Sequence, residues 1–172
     1  MKIGLIGNGA IAKYVRKAVE QRAHSIDAIL LRPERVVENL NLHVGSVQDL
    51  PNDLDLVIDC AGHAALAAYG PAVLMRGTDL ITVSLGALAD DTLYRTLDVA
   101  AHDGEAKLHL ASGAIGALDC LQAARIGRLD QVTYVARKPP LGWRGSPAEQ
   151  QIDLDALQSG AQIHFEGTAR EA

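Results

Sequence analysis

The residues Gly7-Asn8-Gly9-Ala10-Ile11-Ala12 place three small side chains at the spacing G-x-G-x-x-A. Each frees a different piece of backbone. Gly7 permits a tight turn, Gly9 has no side chain to obstruct a large anion, and Ala12 lets a helix pack close to a strand. The chemistry such a turn performs is phosphate binding. N–H groups opening a helix, here from Ala10 and Ile11, lack intrahelical partners and carry a partial positive charge. The spacing has this meaning only between a strand and a helix. Lys2 opens the apolar run Ile3-Gly4-Leu5-Ile6, which reads as a buried strand, and Ile11, Val15, Ala18 and Val19 then recur at helical spacing. The stretch predicts a dinucleotide site. The competing reading is a glycine turn in some other α/β protein.

Further candidates lie at the ends of later strands, where open parallel sheets bind ligands. A second strand over residues 26–31 ends in Leu31-Arg32-Pro33. An acid at that place usually binds the ribose hydroxyls of NAD; here the nearby acid, Asp27, sits near the strand start. Arg32, with Arg35 close behind, either faces the 2′-phosphate of NADP or is a solvated loop residue. A fourth strand over 54–58 runs into Asp59-Cys60-Ala61-Gly62-His63. Ala61 and Gly62 lie where backbone can approach a cofactor. His63 opens the next helix, with Leu66 on its inner face; it either contacts substrate or nicotinamide, or is a neutral structural side chain. Ser112 through Ala117 form a second glycine-rich turn, before a helix marked by Leu118, Leu121, Ala124 and Arg125. That turn faces the nicotinamide end or an anionic substrate group, or else packs internally between the two domains. Lys138, at the end of a β-rich stretch over 130–136, either offsets a substrate carboxylate or is solvated.

The elements that position these residues follow in order. A short helix is expected over 36–41, a weak third strand over 42–44, a fifth over 80–84 and a sixth over 107–111. A helix follows Asp90-Asp91, with Leu93, Leu97 and Ala100 inward and Gly104 at its end. Residues 71–76 read as helical, stopped by Gly77. Later, 141–147 form a loop around Trp143, 152–157 a short helical patch and 161–165 a last strand. Strands alternating with helices predict a Rossmann-type doubly wound parallel sheet, residues 1–111, and the chain length leaves part of a second domain, residues 112–172.

The bulk composition agrees. The 172 residues are 48% apolar but only 3% aromatic, so Ala, Val, Ile and Leu must build the core. A formal net charge of −5 argues against nucleic-acid binding. Cys60 and Cys120 form no C-x-x-C pair, which reads as reduced thiols in a cytoplasmic protein. No signal peptide or membrane-length apolar run is present, and no metal site is expected.

At Asp59-Cys60-Ala61-Gly62-His63, Ser112-Gly113-Ala114-Ile115-Gly116, Arg137-Lys138-Pro139-Pro140 and the last eight residues from Phe165, the chain resembles the L-aspartate dehydrogenases. These are small NAD(P)-dependent amino-acid dehydrogenases linked to NAD biosynthesis. The resemblance implies oxidation of L-aspartate to iminoaspartate, which becomes oxaloacetate and ammonia, with NAD or NADP as cofactor. It implies that Ala114 offers its backbone N–H to the cofactor, and that the second domain, an α+β domain incomplete here, supplies catalytic groups and the interface of a homo-oligomer, a dimer being favoured. The family's catalytic histidine lies beyond the segment matching 165–172, so no catalytic residue is assigned; His63, His102, His109 and His164 do not match its place. Two alternatives remain: a reductase of another small acid or imine, and a non-catalytic dinucleotide sensor.

Thr168-x-x-Glu171 reads as a capping box, the signature of a helix about to begin. The expectation is a fragment that binds nucleotide, is weakly stable, associates through its second domain and does not turn over substrate.

Overall fold

The computed structural model describes residues 1–36, 41–112, 118–169 and 171. The expected helix over 36–41 and the glycine turn after Ser112, with Ala114, fall largely outside them. The chain divides into two compact units, Met1–Leu118 and Asp119–Ala172.

The first unit is built on β1 (Lys2–Ile6), β2 (Ser25–Leu30), β3 (His43–Val44), β4 (Leu56–Asp59), β5 (Asp79–Thr82) and β6 (Leu108–Leu110), with α1 (Ala10–Glu20), α2 (His63–Met75) and α3 (Asp91–Asp103). The strands form one sheet in the order β3-β2-β1-β4-β5-β6, and every pairing is parallel. Central parallel strands are covered on both faces and therefore read as apolar runs; Ile3, Leu5 and Ile6 of β1 are all buried. Alternation sends Ile3 and Leu5 to one face, where they cluster with Ala12 and Val19 of α1. Ile6 points to the other face, into a larger cluster with Leu66, Val73 and Leu74 of α2 and Leu97 and Ala100 of α3. Helices thus cover both faces, which makes the sheet doubly wound.

The register sets one row across the carboxyl edge. Leu30 lies opposite Val44 and Ile6, Ile6 opposite Asp59, Asp59 opposite Thr82, and Thr82 opposite Leu110. Strand order reverses at β1, between β2 and β4, so the ligand-binding crevice of such a sheet opens beyond Ile6 and Asp59.

Several expectations need correction. Ile11 is 51% exposed, and the inner face of α1 is instead Ala12, Val15 and Val19. Residues 130–136 and 161–165 form no strand. Their Val, Tyr, Ile and Phe content suits a pleated surface, but β-propensity is realised only against a neighbouring strand, and no described residue pairs with either stretch. Residues 152–157 are turns instead of a helical patch. There the Asp153 carboxylate accepts from the N–H groups of Asp155 at 3.0 Å and Ala156 at 3.1 Å, a local bond that competes with helix. The second unit contains α4 (Leu118–Ala124), which begins at its border, and two 3-10 turns, Pro140–Trp143 and Pro147–Gln150.

The capping box is half formed. The Glu171 carboxylate accepts from the Thr168 N–H at 2.8 Å, as expected. The Thr168 hydroxyl, however, donates to that carboxylate at 2.7 Å instead of accepting from Glu171. The Glu171 N–H goes to the Thr168 carbonyl, at 3.0 Å.

Candidate functional site

β1 ends at Ile6 and the chain turns at once. Gly7 has φ +94°, a left-handed conformation that side chains disfavour, and a Cβ there would stand 2.8 Å from the Cβ of Ala61. The turn after β1 therefore packs directly on the turn after β4. Two backbone bonds fix the approach: Gly7 N–H to the Leu30 carbonyl at 2.9 Å, and Cys60 N–H to the Ile6 carbonyl at 3.0 Å.

Gly9 is different. It is the residue before α1, with φ −80° and ψ −165°, a conformation open to any residue. A Cβ placed on it meets nothing within 4 Å. No neighbouring protein atom demands glycine here; the small residue keeps clear a space outside the protein. That space lies at a helix start with no side-chain cap and no acid in its first turn. The start of α2 is alike: Gly62 precedes it at φ +96°, with no side-chain cap and open space around it. By contrast, α3 is capped by Asp90, whose carboxylate accepts from Thr92 N–H at 2.8 Å and Leu93 N–H at 3.3 Å. The two helix starts nearest the crevice keep N–H groups free for an anion, and α3 satisfies its own. The residues present thus fit a bound pyrophosphate.

Ala10, Ile11 and Ala61 are exposed around this space. Arg32 lies just past β2, also exposed, with its Nε 3.4 Å from Glu34 Oε1. Glu34 escaped the sequence reading, though it is two residues from Arg32; only the turn Pro33–Arg35 brings it back alongside. His63 is exposed at the start of α2, and its imidazole lies against the backbone of Gly86, where an added Cβ would be 2.8 Å from Cε1. The structure thus brings together Gly7, Gly9, Ala61, Gly62 and His63.

Beneath them sits a buried polar cluster. Asp59, fully buried, accepts from the Thr82 hydroxyl at 2.8 Å, the Ser84 hydroxyl at 2.7 Å and the Ala61 N–H at 3.0 Å. Thr82 also accepts from the Ser84 N–H at 3.0 Å. Sequence reasoning missed Thr82 and Ser84; the available signal was polar residues at the ends of two adjacent apolar strands. Burial first, and then the Asp59 carboxylate, push the Cys60 thiol up to about 11, so it stays protonated and packs as a small apolar group.

In the second unit, the Lys138 ammonium stands 4.4 Å from the centroid of the Trp143 ring. Its stem runs along Gly142, where an added Cβ would lie 3.2 Å from Lys138 Cβ. The tryptophan also meets His164, ring centroids 4.4 Å apart and edge to face. The described residues hold no group of three or more His, Cys, Asp or Glu placed for a metal, and no helix long and apolar enough to cross a membrane.

The comparisons with known proteins divide the chain at nearly the same place as its packing. Residues 7–111 match the family described as homoserine dehydrogenase, NAD binding domain, and 119–172 match aspartate dehydrogenase, C-terminal. An L-aspartate dehydrogenase of Ruegeria pomeroyi is 47% identical across the whole chain, which covers 63% of that protein. One of Ralstonia pickettii is 40% identical, again across the whole chain, which covers 67% of it. The chain thus spans about two thirds of these curated relatives. The crystal structure of Thermotoga maritima aspartate dehydrogenase superposes with a TM-score of 0.57 at 24% identity, over 73% of this chain and 52% of that one, a likeness of fold. The first unit is an NAD(P)-binding domain, the segment after it matches the C-terminal domain of aspartate dehydrogenases, and the identity to these relatives runs through both: the chain belongs to the L-aspartate dehydrogenase family.

Proposed function

We propose that the protein oxidises L-aspartate to iminoaspartate with NAD or NADP, a reaction linked to NAD biosynthesis. The observation that carries the cofactor half is the open space over Gly9 at the uncapped start of α1. The substrate half rests on the relatives' activity and on Lys138. The bound cofactor supplies the hydride acceptor for the substrate α-carbon. The residues of the chain do the positioning. Gly7 and Gly9 clear the turn, the N–H groups of Ala10 and Ile11 hold phosphate oxygens, and Ala61 and Gly62 bring backbone close to the cofactor. Ala114 adds a backbone N–H, and His63 contacts the nicotinamide or the substrate. Lys138, its stem and ammonium both held, pairs with a substrate carboxylate. The substrate ammonium loses a proton to a base not assigned among the described residues, and water hydrolyses the imine to oxaloacetate and ammonia.

We assign cofactor binding to residues 1–111, with Ala114 added from beyond them, and substrate binding and association as a homodimer to 112–172, in the cytoplasm. The test is NAD(P)H production by the purified protein with L-aspartate against other amino acids. Aspartate-dependent turnover is expected of the full-length protein and not of residues 1–172 alone; turnover of the full-length protein only on another acid or imine replaces the substrate, and nucleotide binding by it with no turnover on any of them favours a sensor. In an active protein, Lys138→Ala is expected to raise KM for L-aspartate about tenfold with a smaller change in kcat, the pattern of lost ground-state binding. An unchanged KM removes Lys138 from the site.

Cofactor choice follows from Arg32. Its guanidinium is available to a 2′-phosphate, and its exposed pairing with Glu34 is weak. NADP is expected to bind within about tenfold of NAD. Arg32→Ala weakens NADP selectively, and Glu34→Gln strengthens it. Titrations of both nucleotides at fixed salt decide this. A hundredfold preference for NAD, or NADP affinity indifferent to Arg32→Ala, overturns the assignment.

A further inference from the structure

The buried cluster around Asp59 is too elaborate for the task of joining two strands. β4 and β5 already share a parallel ladder, with Asp59 opposite Thr82. Burying a carboxylate carries a desolvation cost that an apolar side chain of similar size avoids. A Leu or Val at 59 would serve the sheet alone. The donors that Asp59 collects come from outside the ladder as well as from within it. One oxygen takes the N–H of Ala61, in the turn between β4 and α2, at 3.0 Å. The other takes the hydroxyl of Ser84, in the turn after β5, at 2.7 Å, along with that of Thr82. Ser84 is the residue before the 3-10 turn Leu85–Ala89, which carries Gly86. Ala61 is two residues before His63, whose ring rests on Gly86. One carboxylate therefore ties together the two turns between which His63 is held.

Their place on the sheet gives the turns a ligand. A dinucleotide lies across the carboxyl edge with its pyrophosphate at the β1–α1 turn and one ribose at the end of β2. The adenosine half is thus on the Arg32 side, and the other half extends over β4 and β5. We infer that Asp59, acting through Thr82, Ser84 and Ala61, is a positioning residue that shapes the β4 and β5 turns to receive the nicotinamide half of the cofactor. The inference rests on the dinucleotide-binding reading above and deepens it: one end of the ligand depends on this cluster, and the other does not.

The ligand can be divided to match. NAD+ carries both halves, and ADP-ribose lacks the nicotinamide. Calorimetric titration of each is compared in three variants. Thr82→Val keeps the shape of the side chain and removes the hydroxyl, Thr82→Ser keeps the hydroxyl, and Ser84→Ala removes one donor elsewhere in the cluster. Thr82→Val and Ser84→Ala are expected to weaken NAD+ about tenfold and leave ADP-ribose within about twofold of wild type, the loss of one or two buried hydrogen bonds. Thr82→Ser is expected to bind both as wild type does. Parallel loss of both ligands, loss of neither, or damage in Thr82→Ser equal to that in Thr82→Val overturns the inference. If Thr82→Val does not fold, Ser84→Ala carries the comparison; if neither folds, the cluster is structural and the inference is wrong. Wild-type protein that binds neither ligand is a separate result, which overturns the dinucleotide reading itself.

Discussion

Gly9→Val abolishes nucleotide binding and leaves the fold standing: affinity for NAD+ and ADP-ribose is expected to drop at least a hundredfold, roughly 2.7 kcal/mol, while the melting temperature moves by only a few degrees. The separation of the two effects follows from the surroundings of Gly9. Its backbone conformation suits any residue, and an added Cβ meets no protein atom within 4 Å. The fold loses only the modest preference for glycine over valine before a helix, about 1 kcal/mol or less. The valine side chain instead occupies the space reserved for the pyrophosphate and screens the N–H groups of α1. Gly7→Val is the control in the other direction. At φ +94° and 2.8 Å from Ala61, any side chain strains the turn itself, so stability falls along with binding. Calorimetry with both ligands, beside thermal melts of both variants, checks the pair. A folded Gly9→Val protein of unchanged affinity removes the turn from the cofactor site.

The second large effect is on stability alone. Gly104 ends α3, and a Cβ there would stand 2.0 Å from the carbonyl oxygen of Leu74 and 2.9 Å from the Cα of Met75, near the end of α2. These are backbone atoms of a helix that packs on α3 through Leu66, Leu97 and Ala100, so they cannot swing aside as a side-chain tip can. Gly104→Ala must push the two helix ends apart. It is expected to cost about 3 kcal/mol, at the upper end of overpacking penalties, and to lower the melting temperature by roughly 10 °C. The site lies at the opposite ends of these helices, so NAD+ affinity in the folded population stays near wild type. Chemical denaturation and titration below the transition measure the two quantities; a loss under about 1 kcal/mol shows that the helix ends yield.

These contrasts show which features were legible in the sequence. The β1–α1 unit could be read because its signals are local: an apolar run, glycines at fixed spacing, then helical periodicity within twenty residues. The start of α3 at Asp90-Asp91 and its Gly104 stop were legible for the same reason. The Asp59 cluster was not, because it exists only once β4 and β5 align Asp59 with Thr82, and no spacing along the chain encodes that register. Residues 130–136 failed in the opposite sense. Their composition favours a strand, but a strand is a relation between two segments, and no described residue supplies the second. Glu34 was missed although it is close in sequence, since its relevance to Arg32 depends on a 3-10 turn that returns it alongside the guanidinium.

The chain has a single tryptophan, and Trp143 lies in the second unit, in contact with Lys138 and His164. The long helices α1, α2 and α3 all belong to the first. Intrinsic emission excited at the red edge of the protein absorption band therefore reports on residues 119–172 alone, whereas ellipticity at helical wavelengths is dominated by residues 1–118. One sample followed by both signals through a denaturant gradient separates the two units without a label or a cut in the chain. Coincident curves mean that they unfold as one cooperative body; displaced curves give each unit its own midpoint. With NAD+ present, a midpoint that moves in ellipticity but not in emission would assign the bound nucleotide to the first unit by optics alone.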